Sequence, residues 1–243
     1  TLTKVFLKFL IKMLKFKKIL ITGGSSGLGK SLAIKLSKNN KVFCLGKRHL
    51  NQKNIKSIKC NLRNIKSIKN RLNKLLDTKS LDYVFLNAGM LGDIKKINEV
   101  NQREIEEIFK VNVFANKEVI DFFIEKKIKI KLIIAISSGA ALAPKSGWFL
   151  YCSSKAAFKF LIESYAVEFK KLRFINISPG LIKTKMQKQI CKIDERKINS
   201  VKKFKELNKK NMVPSPDEVA DNLIKTIKSL KKNSGDYIDI RKK

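Results

Sequence analysis

An alternation restricts the fold of this chain more than any other feature of its sequence. From residue 18 onward, short apolar runs of strand length take turns with longer segments whose apolar residues recur every three or four positions. Lys18–Thr22, Lys41–Gly46, Ile55–Cys60, Leu81–Asn87, Lys131–Ser137, Leu172–Ser178 and Tyr237–Ile240 read as strands. Gly27–Lys38, Ile65–Leu76, about Ile105 to Lys126, Tyr151–Phe169 and Pro216 to about Leu230 read as helices. Strands separated by helices of this length pair in parallel through right-handed crossovers, and the helices cover both faces of the sheet. The expected fold class is therefore α/β, a Rossmann-type doubly wound parallel sheet in three α/β/α layers. No repeat or Pro/Gly/Ser-rich linker divides residues 18–243, so they read as one domain. Residues 183–211 are Lys-rich and irregular in pattern, and are expected to form a lid over the substrate.

The turn after the first strand carries chemistry. Thr22-Gly23-Gly24-Ser25-Ser26-Gly27-Leu28-Gly29 lies between the first strand and the first helix. Glycines permit a tight turn and let the backbone approach a phosphate. The helix start behind them offers unpaired N–H groups and a partial positive charge. In the first βα unit of an alternating chain, this loop predicts a dinucleotide site. A carboxylate at the end of the second strand would suit the ribose 2′-hydroxyl of NAD. Here that strand ends in Leu45-Gly46-Lys47-Arg48, with no acid. Lys47 and Arg48 suit a 2′-phosphate instead, so NADP(H) is preferred over NAD(H).

A second constellation lies further on. Tyr151 and Lys155 are four residues apart and share one face of a helix. A free phenol titrates near 10. A neighbouring ammonium is expected to lower that value and make Tyr151 a usable acid–base group. Ser138 follows a strand end thirteen residues before Tyr151 and can meet the same substrate oxygen.

Composition closes off other classes. With 243 residues and 44% hydrophobic residues, the chain can bury a full core. Cys44, Cys60, Cys152 and Cys191 have no CxxC spacing and follow no secretory signal, so they read as reduced thiols in a cytoplasmic protein. His49 is the only histidine and reads as a surface residue, so no metal site is expected. No apolar run approaches the roughly 18 residues of a membrane span. Residues 1–17 form a basic, hydrophobic extension with Lys4, Lys8 and Lys12 in one helical stripe. It could lie on an anionic membrane, but the plainer reading is a segment ahead of the domain, with no membrane role. The net charge is +34, yet only seven of the 54 basic residues are Arg. The middle third holds 12 of them, against 21 in each outer third. Such a spread reads as solvated background rather than a specific nucleic-acid site.

These motifs, taken together, resemble the short-chain dehydrogenase/reductase family from residue 18 to the end. Asn87-Ala88-Gly89, Asn112, Ser138, Tyr151, Lys155 and Pro179-Gly180-Leu181-Ile182-Lys183-Thr184 stand in family order behind the glycine loop. The resemblance implies hydride exchange between a nicotinamide cofactor and a carbonyl or alcohol. It implies that Tyr151 moves the carbonyl proton, that Lys155 holds ribose hydroxyls and tunes Tyr151, and that Ser138 orients the substrate oxygen. It gives Asn112 a water of the proton relay and sets Asn87, Ala88 and Gly89 beside the cofactor. Asn61 and Leu62 would meet the adenine, while Pro179, Gly180, Ile182 and Thr184 would meet the nicotinamide end. Family relatives suggest a homodimer or homotetramer through the helices near 105–126 and 151–169.

A narrower likeness is to the sepiapterin reductase and bacterial benzil reductase branch. It rests on Ser137-Ser138-Gly139-Ala140-Ala141, Pro144, Ser146-Gly147-Trp148, Thr184-Lys185-Met186-Gln187 and Gly235-Asp236-Tyr237-Ile238-Asp239-Ile240-Arg241. It implies reduction of a small ketone, a dicarbonyl or a pterin side-chain ketone. Leu142, Trp148, Phe149 and Met186 are expected to line the substrate pocket or to pack as core. Asp239 would either anchor a pterin or end the sheet in a salt bridge. Three departures from the family pattern are Leu86, Asn61 and Ser26. The alternatives are a 3-oxoacyl-thioester reductase and, in a different class, a polyanion or membrane-surface binder on a relic fold.

Overall fold

The computed structural model describes residues 15–242. The expected N-terminal stripe of Lys4, Lys8 and Lys12 therefore lies outside the described residues. Among the described residues, seven strands form one parallel sheet: β1 Lys18–Thr22, β2 Lys41–Gly46, β3 Ile55–Lys59, β4 Ser80–Leu86, β5 Lys129–Ile136, β6 Phe174–Ser178 and β7 Tyr237–Asp239. Their order across the sheet is β3-β2-β1-β4-β5-β6-β7, with Ile21 opposite both Cys44 and Phe85 in the centre. The strand order reverses between β1 and β4. A doubly wound sheet opens its ligand crevice there, at the carboxyl ends of the strands. The glycine loop after β1 and Asn87-Ala88-Gly89 after β4 both face this crevice.

The described residues form eight α-helices: α1 Gly27–Ser37, α2 Ile68–Leu75, α3 Gln102–Phe109, α4 Ala115–Glu125, α5 Phe149–Glu168, α6 Lys185–Cys191, α7 Lys202–Lys209 and α8 Pro216–Lys228. The strands are apolar on both faces, as parallel strands under two helical layers must be. Their period-2 alternation sorts the core. Leu20, Phe43, Leu45, Val84, Ile133 and Phe174 face α2, α4 and α5. Ile19, Ile21, Val42, Phe85, Ile134 and Ile175 face α1 and α8, through Leu28, Leu32, Val219 and Leu223.

The long helix expected near 105–126 is two helices. A π-helical turn, Lys110–Phe114, joins α3 to α4. Helix α3 begins three residues earlier than expected because Asn101 and Glu104 form a reciprocal cap, with Glu104 N–H to Asn101 Oδ1 at 3.0 Å. The segment 183–211 contains α6 and α7, and a third apolar cluster ties them to the start of α5 through Trp148, Ile190, Val201 and Phe204. Among the described residues, no helix is long and apolar enough to cross a membrane. All four cysteines are free thiols.

Candidate active site

The glycine loop is built around contacts too close for side chains. Gly23 takes φ +71°, and a Cβ there would stand 3.0 Å from both Ala88 Cα and Asn87 Nδ2. A Cβ on Gly29 would strike the Gly23 carbonyl and the Asn87 amide. Asn87 Nδ2 donates to Thr22 O at 3.0 Å, and Thr22 Oγ1 accepts from the N–H of Asn87 at 3.0 Å and of Ala88 at 3.1 Å. The loop after β1 is thus bolted to the loop after β4. Gly46 leaves room for Ser25, whose Oγ would lie 3.0 Å from a Cβ there.

These contacts give a cradle for an anion. Ser26 occupies the N-cap of α1 without capping it, and the first turn of α1 holds no acid. Its leading N–H groups, backed by the helix dipole, are therefore open to a phosphate. Arg48 is exposed and reaches across to Ser25 O at 3.5 Å, with Lys47 exposed beside it. Gly27 (φ +52°) faces Thr184, whose Cγ2 would lie 3.4 Å from a Cβ on Gly27. Thr184 caps α6, so the segment after β6 meets the glycine loop at this residue. Asn61 is exposed at the end of β3, whereas the Leu62 side chain belongs to the core, leaving only its backbone to meet a ligand. The residues present fit a dinucleotide. His49 is exposed, with Nδ1 3.5 Å from Ser57 Oγ.

The second constellation gathers deeper in the cleft. The Ser138 hydroxyl accepts from Ala140 N–H at 3.2 Å and so turns the chain after β5. Tyr151 and Lys155 lie in the first turns of α5, and the Lys155 ammonium stands 5.9 Å from the centre of the Tyr151 ring. Burial pushes the Tyr151 hydroxyl up to about 12, and the Ser138 hydroxyl offsets only part of this. The expectation that Lys155 would bring Tyr151 below its ordinary value is thus not met. The ammonium donates to Ile136 O at 2.8 Å instead. Lys155 is itself pulled down to about 8 by burial.

Asn112 closes the group. It is fully buried in the π-helical turn and donates to Met90 O and Ser154 Oγ, both at 2.9 Å, while its Oδ1 accepts from Met90 N–H at 2.8 Å. Asn116 donates to the Asn112 main-chain oxygen at 2.9 Å. A Cβ on Gly89 would lie 3.4 Å from Asn112 Oδ1 and 3.6 Å from Lys155 Nζ. Asn112, Lys155 and Gly89 therefore share one pocket of the crevice.

At the substrate end, core packing is the alternative that holds for Trp148. Trp148 is a buried anchor. Its Nε1 donates to Ser200 Oγ at 2.9 Å, and its ring stacks on Phe204 at 4.9 Å. Gly147 (φ +81°) makes room for Ile198, whose Cγ2 would lie 2.8 Å from a Cβ. The Gly-Trp pair is thus the seat of the 183–211 segment. Met186 packs against the same cluster, Phe149 is half-buried and Leu142 is exposed. The Asp239 carboxylate accepts from Arg241 Nε at 2.8 Å and from the Arg241 main-chain N–H at 3.0 Å. This guanidinium holds its carboxyl below the usual range. Of the two readings of Asp239, the salt bridge is the one present. A cavity of about 410 Å3 opens beside Arg241, lined by Pro179, Leu181, Met212 and Val219. None of Ser138, Tyr151 and Lys155 lines it.

Sequence reasoning missed Thr22, Ser154, Asn116, Lys145 and Arg241. Thr22 and Ser154 act by hydrogen bonds to residues distant in the chain, and Asn116 by a bond to the main-chain oxygen four residues before it in an irregular helical turn. The last two were submerged in a chain rich in basic residues. Among the described residues no cluster of metal-ligating side chains occurs.

Comparison with known proteins agrees with the geometry. Residues 17–195 match the family model "short chain dehydrogenase". The chain is 28% identical over 235 residues to benzil reductase ((S)-benzoin forming) of Bacillus subtilis, covering 90% of this chain and 96% of that one. It is 28% identical over 159 residues to sepiapterin reductase of Bos taurus, covering 63% and 59%. A short chain dehydrogenase of Shigella flexneri, solved in complex with NADP, superimposes with a TM-score of 0.73 at 20% identity, covering 94% of this chain and 98% of that one. The matched family model, the parallel sheet and the residues gathered at its switch point together make this chain a member of the short-chain dehydrogenase family, an NAD(P)-dependent oxidoreductase.

Proposed function

We propose that the protein is an NADPH-dependent carbonyl reductase acting on a small ketone, with Tyr151 as proton donor. The observation that carries this reading is the convergence of Ser138, Tyr151 and Lys155 in one pocket, with Tyr151 kept protonated far above neutral pH. A phenol that holds its proton is the state a reduction needs before the carbonyl oxygen gains charge. The cofactor, when bound, supplies the hydride. Gly23, Ser25, Ser26, Gly27, Leu28 and Gly29 hold its pyrophosphate. Lys47 and Arg48 take a 2′-phosphate, since no acid competes for that position. Pro179, Gly180, Ile182 and Thr184 line the nicotinamide end. Ser138 donates to the substrate oxygen, and Tyr151 transfers its proton there as the carbonyl carbon becomes the alcohol carbon. The Lys155 ammonium then favours the phenolate left behind, and Asn112 serves the path that returns a proton.

The names of the relatives favour a diketone or a pterin side-chain ketone as substrate. The segment 183–211 acts as a lid hinged on Gly147 and Trp148. Exposed apolar side chains at Phe114, Phe160 and Val167 on the helices around α5 support a homo-oligomer. NADPH and NADH oxidation should be followed over a panel of diketones, pterins and acetoacetyl thioesters, with Tyr151→Phe as control. Turnover of a diketone or pterin with NADPH, abolished in the variant, is the expected result. A thioester as the sole substrate would favour the acyl-carrier reading, and undiminished turnover by Tyr151→Phe would defeat the proton-donor role.

A further inference from the structure

The substrate end of the site holds a cluster of cations that the reduction chemistry does not use. Lys145 lies in the turn between Ser138 and Tyr151. Its ammonium stands 5.4 Å from the centre of the Trp148 ring and 5.3 Å from that of Phe204. The Trp148 ring is in turn 6.2 Å from the Tyr151 ring. The positive charges of Arg241 and Lys203 act on Lys145, and among the described residues no carboxylate pairs with it. Burial against the rings lowers its proton affinity.

Arg241 approaches from the other side. Its stem crosses Gly180, where a Cβ would lie 2.6 Å from Arg241 Cδ. Its Nη2 would lie 3.8 Å from a Cβ on Gly139, the residue after Ser138. Asp239 engages Nε and Nη2 and fixes the guanidinium plane. The two N–H groups of Nη1 are left to donate. Asp239 thus works as the clamp on Arg241. Lys145 is exposed, but its ammonium rests against the stacked Trp148 and Phe204 rings beside one of only seven arginines.

We propose that Lys145 and Arg241 read an anionic group on the substrate, so that the carbonyl compound reduced at Tyr151 carries a carboxylate near its carbonyl. An ammonium and a fixed guanidinium are the complement of such a group. The charge favours an acid over a neutral ketone of the same shape, since a cation pair beside a neutral substrate loses its water without compensation. This inference rests on the carbonyl-reductase reading above.

The test compares benzoylformate with its methyl ester, which present the same carbonyl with and without the charge. NADPH oxidation is measured at an ionic strength of about 0.15 M, where charges further off than roughly 8 Å are screened. The expected KM for the acid is at least about tenfold below that for the ester, a typical loss for one charge-assisted contact. Lys145→Met, and separately Asp239→Asn with Arg241→Gln, should collapse that ratio. Lys74→Met, an exposed position on α2, should keep it. Binding is read independently by titrating the NADP-loaded protein with benzoate and following the fluorescence of Trp148, the only tryptophan. Equal handling of acid and ester with no benzoate response would overturn the inference and leave the reductase reading standing. So would a preference that Lys74→Met also abolishes, since that is the general field of a basic chain. A saturable benzoate response lost in Lys145→Met, with neither compound oxidising NADPH, would uphold the anion site and defeat the reductase reading.

Discussion

Lys155 follows Tyr151 by one helical turn, yet its ammonium donates to the main-chain oxygen of Ile136 at 2.8 Å rather than to the phenol. The pair is therefore tuned by burial more than by mutual attraction. Tyr151 is raised to about 12 and Lys155 lowered to about 8.

These values order the pH dependence of reduction. Tyr151 keeps its proton throughout the neutral range and is not limiting as an acid. Lys155 loses its charge as pH rises through about 8, and with it the field that favours the phenolate. The kcat/KM for ketone reduction is expected to be level from about pH 6 to 7.5 and to fall above about 8. A profile level to pH 10 would show that the charge on Lys155 does not serve the reaction.

The same burial makes a stability prediction with a definite sign. An unfolded lysine titrates at 10.5 and the folded Lys155 at about 8. Between those values the unfolded chain binds more protons, so this group's contribution makes the protein more stable as pH rises. One unit corresponds to about 1.4 kcal/mol. Wild type should gain about 1 kcal/mol relative to Lys155→Met between pH 7 and pH 9, measured by urea unfolding. Burial pushes the Cys44 thiol up to about 12, which acts in the opposite direction. It does so in both proteins and cancels in the comparison.

Much of this site was legible in the sequence because its parts are local. The glycine loop, Tyr151 with Lys155, and the apolar strands each fall within a few residues of one another. The fold followed because apolar strands alternating with helices leave few topologies. What the sequence concealed is non-local or conformational. The π-helical turn that buries Asn112 has no propensity signature, since Lys110–Phe114 reads as ordinary helix. The capture of Asp239 by Arg241 is only two residues long. Nothing in the sequence distinguishes a carboxylate turned to its neighbour from one turned to a ligand. For Trp148 the sequence leaves pocket wall and core packing both open, and the contacts with Ser200 and Phe204 make it an anchor.

Arg48 gives the cofactor preference a direct check. Its guanidinium leans over the glycine loop to Ser25 O at 3.5 Å, and Lys47 lies exposed beside it. Replacing both by Ala removes the two cations and leaves the glycine turn untouched. The Kd for NADPH is expected to rise about tenfold or more, and that for NADH by no more than about twofold. Fluorescence titration of each reduced cofactor provides the comparison. Equal losses for the two would assign these residues to the general field of the chain rather than to a 2′-phosphate.

The outer face of α5 bears on assembly. Phe160 and Val167 are seven residues apart, two helical turns, and are 72% and 66% exposed. Phe114, the last residue of the π-helical turn, is 48% exposed. Single exposed apolar residues are ordinary on a monomer, but two on one face of the same helix form a patch. The occupant that fits is the same face of a second copy, because a two-fold axis makes one patch complementary to itself. Phe160→Glu combined with Val167→Glu would bring like charges together across that axis. Size-exclusion chromatography with light scattering should find wild type as a dimer or tetramer and the double variant in a smaller species. The fold should survive, since neither side chain contributes to the core, and an unchanged far-UV spectrum would confirm that. An oligomer that persists in the folded double variant would move the interface away from α5.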